Sequence, residues 1–322
     1  MTDAQPLGVA AEDVRSAPRS RVVVRAPGKI NLSLAVGAVD GRGYHQLATV
    51  FHAVGLYETV TVTPADDLSL SLTSHVTGEV PLDASNLALR AARLLQETYG
   101  VDRGAAIHVD KEVPVAGGMG GGSADAAATL LALSRLWDLP IAPDELRRLG
   151  GRLGADVPFA VLGHTALGRG NGGDLSSVLI SGSWTWVLAA PGGHLSTPAV
   201  YGRFDELVLE HGREIPTVPE PDPVQLQALR SGDITLLGQT LHNDLQAAAF
   251  ALHAGLEPVI ALAETSGASG AIVSGSGPTV AVLVEDLAHA HELRDVLMGS
   301  GMIVECHVAE GSVPGARVLE EA

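Results

Sequence analysis

A run of glycines in the middle of the chain is the sequence feature best suited to chemistry. Residues 114–125 have the sequence PVAGGMGGGSAD and lie between a predicted strand and a predicted helix. The first N–H groups of a helix lack internal partners and carry partial positive charge, and glycine lets the backbone approach an anion closely. The sequence therefore predicts phosphate binding here, with the Ser123 hydroxyl available to a phosphate or to Mg²⁺.

Two common phosphate-binding loops do not fit this segment. A Walker A loop requires Lys directly after its last glycine, and none follows here. A dinucleotide fingerprint would place its third glycine at Ser123, and no acidic residue follows at the end of a second strand. A flexible connector is the alternative interpretation, although the strand–helix context disfavours it.

An early strand carries a second group of polar residues. Residues 27–31 have the sequence PGKIN, and alternation places Lys29, Asn31 and Ser33 on one face of the strand. For a single Lys a solvated outer face is the simpler interpretation. The continuation of the polar face favours a functional role.

An aspartate lies between the end of one helix and a proline. Asp156 follows Gly154 and precedes Pro158. Taken alone, it is better interpreted as a helix N-cap. If it lies beside Lys29, it can accept a hydroxyl proton, and general-base assistance contributes about 10²–10⁴-fold in rate.

A second glycine turn occurs late in the chain. Residues 274–279 have the sequence SGSGPT and join two predicted strands. The segment is interpreted either as a tight hairpin or as a backbone wall against a ligand.

Charge and cysteine content restrict the class of protein. The formal net charge is −17, from 20 basic and 37 acidic residues, whereas nucleic-acid binding usually requires a basic surplus. One cysteine, Cys306, forms no intramolecular disulfide, which fits a reducing compartment. Residues 1–20 lack an apolar run of signal-peptide length, and no segment has the roughly 18 apolar residues of a membrane span. We expect a disordered leader over residues 1–20 and a cytoplasmic protein without nucleic-acid or membrane partners.

Period-two alternation predicts a first third rich in strands. The expected strands cover residues 21–26, 29–36, 58–63, 68–72 and 105–109, with a break at Pro27-Gly28. Helices should begin at Ser85 or Asn86, at Ser123 and at Pro143.

A glycine-rich stretch separates two halves of the predicted pattern. Residues 163–173 contain five glycines and suggest a loop or hinge. The expected second half comprises strand 184–190, two or three helices over 198–252, strands 271–274 and 279–284, helix 287–298 and strand 302–308. This order predicts an α+β fold with a ferredoxin-like second domain and domains at 21–176 and 177–322.

In this order the motifs resemble those of the GHMP kinase superfamily. That resemblance lies in the PGKIN strand, the glycine loop and the SGSGPT turn. Within the superfamily, the segments GYH (43–45), GADVPF (154–159) and NDL (243–245), together with Thr197-Pro198, make residues 21–317 similar to the kinases of 4-(cytidine 5′-diphospho)-2-C-methyl-D-erythritol.

This resemblance implies a fold and a reaction. The fold would have two domains, an N-terminal ribosomal-protein-S5-domain-2-like domain that binds ATP and a C-terminal ferredoxin-like domain. The reaction would transfer the γ-phosphate of ATP to the 2-hydroxyl of the methylerythritol unit, in the methylerythritol phosphate route to isoprenoids. Mg²⁺ would be the cofactor, with ligands that the motifs leave unassigned. The chain would act as a monomer or a homodimer.

The resemblance also implies roles at the reacting groups. Asp156 would be the general base, and Lys29 would orient and stabilise the reacting atoms. Asn31 and Thr197 would contact the methylerythritol part of the substrate.

Further roles concern the two nucleotides. Tyr44, His45 and Tyr201 would hold the cytidine, with the aromatic rings stacking on the base. Asn86 and Lys111 match positions near the nucleotide of ATP. The phosphates would be wrapped by the glycine loop: Pro114, Val115, Ala116, Gly117, Gly118, Met119, Gly120, Gly121, Gly122, Ser123 and Ala124.

Three positions depart from the pattern of the family. Ala124 stands where a second Ser is frequent, which leaves Ser123 to supply any hydroxyl alone. Tyr201 stands where Phe is common, so stacking is kept but the extra hydroxyl needs a partner or water. Met119 replaces the usual Leu, a volume-conserving change.

Three other kinds of function fit the sequence less well. A homoserine or mevalonate kinase, or a diphosphomevalonate decarboxylase, would have no use for the Gly43-Tyr44-His45 segment. A non-catalytic sensor of the same fold is disfavoured by the presence of both Lys29 and Asp156. A Rossmann oxidoreductase is the third alternative.

Overall fold

Two long strands form the centre of the fold in the computed structural model, which describes residues 19–41 and 43–322. β1 (Val22–Val39) and β2 (His45–Ala65) pair in antiparallel register from Val22↔Val62 to Val39↔His45. Of the predicted leader, residues 1–18 lie outside the described residues.

The other elements surround this hairpin. The remaining strands are β3 (Leu68–Ser74), β4 (Gly104–Lys111), β5 (Thr165–Gly170), β6 (Asp174–Ser177), β7 (Trp184–Ala190), β8 (His242–Asn243), β9 (Gly270–Val273), β10 (Val280–Val284), β11 (Glu305–Gly311) and β12 (Arg317–Glu321). The helices are α1 (Leu87–Tyr99), α2 (Gly121–Leu136), α3 (Pro143–Gly150), α4 (Val157–Leu162), α5 (Thr197–Glu210), α6 (Pro223–Ser231), α7 (Ile234–Gln239), α8 (Gln246–Leu252), α9 (Leu256–Thr265) and α10 (Leu287–Gly299).

One sheet runs through both halves of the described chain. Its main path is β12-β1-β2-β11-β7-β10-β9, and β4 and β5 also pair with β2. The chain therefore returns at its end to the first strand, since β12 pairs with β1. The domain boundary between residues 176 and 177 stays a prediction.

The core of the first half shows why α2 can lie close to the sheet. Val22, Val24 and Ala26 alternate along β1 and are fully buried against the helices. Five of the eleven buried residues of α2 are alanines, and these small side chains allow close approach. Burial of apolar area at about 25 cal/mol per Å² then stabilises the layer.

Within the described residues, no single helix has the length and apolar composition of a membrane span. The neighbours α8 and α9 reach that length and composition only together, across a bend of 120°.

The predicted break at Pro27-Gly28 is wrong. β1 continues through these residues, and the pairing with β2 shifts register between them. β1 therefore does not end at Pro27. Just beyond the shift, the backbone N–H of Lys29 donates to the carbonyl of Met119 in the glycine loop at 2.9 Å. The irregularity thus places the glycine loop directly against β1.

The predicted loop over residues 163–173 is also wrong in part, since β5 occupies its centre and pairs with β2. A Cβ added to Gly168 would lie 2.7 Å from Cε2 of Phe51. Glycine here serves close packing against an aromatic ring.

The ends of several elements differ from the sequence prediction. β2 begins at His45, well before the predicted residue 58, and α2 begins at Gly121. The last predicted strand, 302–308, is observed as Glu305–Gly311, and β12 was not predicted. β12 is short and half-exposed, so its alternation is weak.

A buried histidine in the sheet predicts a pH effect on stability. His52 is fully buried between Trp184 and Trp186, and its Nδ1 lies 2.8 Å from Oγ1 of Thr165. Burial lowers its pKa from 6.5 to about 3. The unfolded chain binds the proton below pH 6.5 and the folded chain does not, so stability falls as the pH drops from 6.5 towards 3.

Urea unfolding at pH 7, 6 and 5 tests this expectation. The wild type should lose up to about 1.4 kcal/mol per pH unit more than His52→Gln. The exposed His75 provides the matched control, since His75→Gln should keep the wild-type slope. Equal slopes in wild type and His52→Gln would contradict the assignment.

Candidate active site

The glycine loop has a backbone shaped for an anion. Ala116, Gly118 and Gly120 have φ values of 56°, 77° and 72°. Left-handed residues alternating in this way form concavities of backbone N–H groups that bind anions. Gly120 is the N-cap of α2, and in the described structure no side chain caps the helix there. The first N–H groups of α2 are thus left for a ligand.

Lys29 is a buried cation held beside this loop. Its Nζ donates to the carbonyl of Gly118 at 2.7 Å and to Oδ1 of Asn31 at 2.8 Å. The Oδ2 atom of Asp156 lies 3.7 Å away. Burial lowers the pKa of Lys29, and the charge of Asp156 opposes that effect. An ammonium group has three N–H donors, so one remains for the space near Asp156.

Asp156 does not act as the N-cap that the sequence alone favours. It occupies the N-cap position of α4, but among the described contacts its side chain makes no capping hydrogen bond. Instead the carboxylate faces Lys29, and its side chain is 34% exposed to the neighbouring cavity. The structure thus brings together the two residues predicted to do the chemistry.

The late glycine turn forms both a hairpin and a wall. It joins β9 to β10, and the Ser274 hydroxyl donates to the carbonyl of Gly118 at 3.2 Å. The backbone N–H of Thr279 donates to the carbonyl of Gly117 at 3.1 Å. The second half of the chain therefore braces the glycine loop.

Two cavities meet at the glycine loop. The larger cavity has a volume of about 650 Å³ and is lined by Lys29, Asn31 and Asp156 among others. The smaller cavity has a volume of about 380 Å³ and is lined by most of the glycine loop. Gly118, Gly120 and Ser123 line both. We call them the acceptor cavity and the nucleotide cavity.

Aromatic residues occupy one end of the acceptor cavity. The rings of His45 and Tyr201 stack with centroids 5.3 Å apart, and Phe204 meets His45 edge-on. Tyr44 lines the same cavity and is 63% exposed. Burial, and then the charge of Asp156, raise the pKa of Tyr201, so its hydroxyl stays protonated.

The orientation of His45 depends on two acceptors. Its Nδ1 lies 2.7 Å from the carbonyl of Gly37, and its Nε2 lies 3.3 Å from Oδ1 of Asp205. Asp205 was not predicted from the sequence.

Other predicted acceptor residues also reach this cavity. Asn31 donates from Nδ2 to the hydroxyl of Thr49 at 2.7 Å, which orients its Oδ1 towards Lys29. The Thr197 hydroxyl lies 3.0 Å from that of Ser276 on the glycine turn. Ser276 belongs to the glycine turn singled out from the sequence, and it lines this cavity.

The predicted nucleotide residues line the smaller cavity but are already engaged. Asn86 caps α1, since its Oδ1 accepts from the N–H of Ala88 at 2.8 Å. Lys111 donates to Oε1 of Glu58 and to Oδ2 of Asp125, both at 2.7 Å. Both predicted residues line the nucleotide cavity, and each also holds the structure around it.

Glu58 and Asp125 were missed by the sequence reasoning. The sequence did offer one indication for Glu58. In the alternating strand 58–63 it shares a face with Val60 and Val62, and that face is buried. Asp125 is the acid on the buried side of an alanine-rich helix. A buried charge needs a partner, and Lys111 is that partner for both.

The surroundings of the buried triad favour the protonated form of its carboxyl groups. Burial and the neighbouring Asp125 raise the pKa of Glu58 to about 8, against the opposing charge of Lys111. Burial also raises the pKa of Asp125. Protonation of one carboxyl leaves the triad nearly neutral, so it adds little negative charge behind the phosphate loop.

The oxygen donors of the nucleotide cavity fit Mg²⁺ that arrives with a nucleotide. Across residues 19–41 and 43–322 there is no preformed group of three His, Cys, Asp or Glu residues. Asp125 Oδ1 is buried without a partner among the described atoms, and Ser123 lines the cavity. Mg²⁺ in kinases usually takes one or two protein oxygens together with phosphates and water, which this donor set can provide.

Two domain models of one protein family match this chain. The model of the GHMP kinase N-terminal domain matches residues 86–164, and that of the GHMP kinase C-terminal domain matches residues 225–301. A 4-diphosphocytidyl-2-C-methyl-D-erythritol kinase of Clavibacter michiganensis is 49% identical over 302 residues, covering 92% of this chain and 96% of the relative.

The chain belongs to the 4-diphosphocytidyl-2-C-methyl-D-erythritol kinase family of the GHMP kinases. The fold predicted from the sequence motifs is thereby confirmed.

Two solved structures have similar backbones to this chain but differ in sequence identity with it. The crystal structure of a 4-(cytidine 5′-diphospho)-2C-methyl-D-erythritol kinase has a TM-score of 0.72 at 32% identity, covering 89% of this chain and 98% of that one. The mevalonate kinase of L. major, in complex with R-mevalonate, has a TM-score of 0.73 at 18% identity, covering 93% and 99%. Backbone similarity is equal, so it is the sequence that separates the two families.

The contact between Gly118 and the late turn predicts a specific weakness. A Cβ at Gly118 would lie 2.3 Å from the carbonyl oxygen of Ser274, and φ is +77°. Gly118→Ala should lower the free energy of unfolding by roughly 2–4 kcal/mol, from the left-handed backbone and from overpacking. Denaturant unfolding measures the change.

Gly122→Ala is the matched control for this substitution. Gly122 is helical, and its added Cβ would meet the Cδ1 atom of Leu87 at an ordinary 3.5 Å. Its stability should stay level or rise by up to about 1 kcal/mol. Equal effects of the two alanines would show that the brace between Gly118 and Ser274 is not tight.

Proposed function

We propose how this 4-diphosphocytidyl-2-C-methyl-D-erythritol kinase divides its work between the two cavities. The reaction moves the γ-phosphate of ATP to the 2-hydroxyl of 4-(cytidine 5′-diphospho)-2-C-methyl-D-erythritol, a step of the methylerythritol phosphate route. ATP occupies the nucleotide cavity, and the cytidyl substrate occupies the acceptor cavity. The observation that carries the proposal is that both cavities share Gly118, Gly120 and Ser123.

The glycine loop positions the phosphates. Its left-handed residues and the free N–H groups of α2 provide donors without a lysine in the loop. Phosphoryl transfer needs alignment and charge stabilisation more than covalent help. A rigid, braced loop provides both.

Lys29 supports the charge that develops during transfer. Gly118 and Asn31 take two of its donors and fix the ammonium group in place. The remaining donor faces the region between loop and Asp156, where the acceptor hydroxyl and the γ-phosphate meet. Such a preorganised cation in a site shielded from water stabilises a charged transition state.

Asp156 accepts the proton of the acceptor hydroxyl. Its carboxylate is open to the acceptor cavity and carries no capping bond, so an oxygen is available. The ammonium group of Lys29 lies 3.7 Å from Oδ2 of Asp156 and holds the carboxylate beside the reacting atoms.

The aromatic end of the acceptor cavity suits a pyrimidine. Tyr44, His45 and Tyr201 offer ring faces on which the cytosine stacks. Asn31 and Thr197 line the same cavity, Asn31 in contact with Lys29, and they suit the hydroxyls of the methylerythritol unit.

Mg²⁺ supplies neutralisation of the triphosphate when it is bound. Ser123 and Asp125 would be the chain's own oxygen donors for it. Lys111 keeps the Asp125 carboxyl oriented.

An ADP-release assay with several alcohols tests the proposed substrate. The cytidyl substrate should be turned over, and mevalonate and homoserine should not. In Asp156→Ala, turnover should fall by a hundredfold or more, about the size of a general-base contribution, while ATP affinity stays close to that of the wild type.

Asp102→Ala changes an exposed aspartate remote from the cavities and is the control. Wild-type turnover in Asp156→Ala would remove Asp156 from the role of base. Turnover of mevalonate but not of the cytidyl substrate would overturn the proposed substrate.

A further inference from the structure

Two arginines on the outer face of the first sheet lie outside the site described above. Arg25 on β1 and Arg317 on β12 are direct cross-strand neighbours. Like charges at opposed positions destabilise a strand pair. Such a pair is therefore expected to have a compensating acid close by.

In the part of the chain that the structure describes, no such acid contacts them. Among the described residues neither arginine forms an ion pair within 4 Å, and the Nε atom of each is buried without a hydrogen-bond partner. The chain is not short of acids, with 37 acidic against 20 basic residues. On the same edge, Arg21 pairs with Glu320 at 2.7 Å and Arg19 with Glu321 at 3.1 Å. The missing partner is thus a local feature of this one pair.

Both guanidinium groups lie near the ring of Tyr57. The Cζ atom of Arg25 lies 4.1 Å from the ring centroid of Tyr57, and that of Arg317 lies 6.0 Å from it. Stacking on an aromatic face restricts a guanidinium group while leaving its outer N–H groups for a ligand. The pair is therefore preorganised rather than splayed into solvent.

In the sheet register, the acid on the face of Arg25 lies two strands away from it. In the sheet register Thr59 is opposite Arg25, and Asp110 is opposite Thr59, two strands or about 10 Å away. Asp110 already lies 3.4 Å from Nε2 of His108. Glu58 follows Tyr57 in the strand, so it points to the other face, where it meets Lys111.

We propose that Arg25, Arg317 and Tyr57 form a binding site for the phosphate group of a small anion. Two guanidinium forks present several parallel donors and two positive charges, which match a dianionic tetrahedral oxyanion better than a single carboxylate. The site lies on the face of the sheet opposite the buried triad and the nucleotide cavity. It is therefore separate from the phosphate loop and goes beyond the proposed function.

Thermal unfolding with added inorganic phosphate tests the site. The enzyme is first saturated with a non-hydrolysable ATP analogue and Mg²⁺, which occupies the phosphate loop, and chloride at equal ionic strength is the reference. Phosphate should raise the Tm of the wild type. In Arg25→Gln/Arg317→Gln the apparent Kd for phosphate should weaken at least tenfold. Arg93→Gln, on the exposed side of α1, should behave as the wild type.

The same experiment distinguishes the ligand sources. Tighter binding of methyl phosphate than of phosphate would assign the site to a phosphate ester, and the reverse order would assign it to free phosphate. An equal rise in Tm in the double variant, no rise in the wild type, or an equal rise with acetate would overturn the proposal.

A second readout separates binding from a structural role. In phosphate-free buffer of low ionic strength, Arg25→Gln should be at least as stable as the wild type, because it removes the repulsion between like charges. A clear loss of Tm there would mean that the arginines serve the packing on Tyr57, which would contradict the proposed site.

Discussion

A buried ammonium group is the constraint on which the rest of this structure depends. Lys29 is 6% exposed, and an unpaired charge at such a position is costly. Its partners come from three separate parts of the chain: Asn31 from its own strand, Gly118 from the glycine loop and Asp156 from the start of α4. The contacts of this one cation therefore fix the relative positions of the glycine loop and the proposed base.

The glycine loop can satisfy this constraint because it is held from two sides. The Gly118 carbonyl accepts from Lys29 and from Ser274, so it links β1 to the turn between β9 and β10. The β strand that carries Lys29 changes register at Pro27 to reach the loop. Glycine at position 118 is required twice, for its positive φ and for the closeness of Ser274. The proposed anion site is therefore held in place by the protein's own hydrogen bonds, which lowers the cost of ordering it on binding.

Much of this arrangement could be predicted from local sequence. The polar alternation of Lys29 and Asn31, the glycines before an alanine-rich helix and the paired glycine turn each indicate their local structure, and the motif order indicated the family. The sequence could not predict contacts between distant segments, because the hydrophobic periodicity of a strand or helix carries no information about its distant neighbours. Glu58 and Asp125 meet at Lys111 only after β2, β4 and α2 are packed together.

Two errors had the same physical origin. Pro27-Gly28 and the glycines of residues 163–173 were interpreted as breaks, because proline and glycine disfavour strands on average. In the fold they permit a register shift and close packing against Phe51, both of which depend on neighbours far away in the chain. Asp156 was also misinterpreted from its local sequence, which favoured a helix N-cap. In the fold its side chain faces Lys29 on β1 instead of capping α4.

The central claim is that Lys29 and Asp156 act as one unit at the junction of the two cavities. The most direct measurement is a double-mutant cycle on kcat/KM with Lys29→Met and Asp156→Asn, checked for retained fold by circular dichroism. The account predicts strong non-additivity, with the double variant only slightly slower than the slower single variant, as for residues that act together. If the two losses simply multiply, the residues act independently and the account is contradicted.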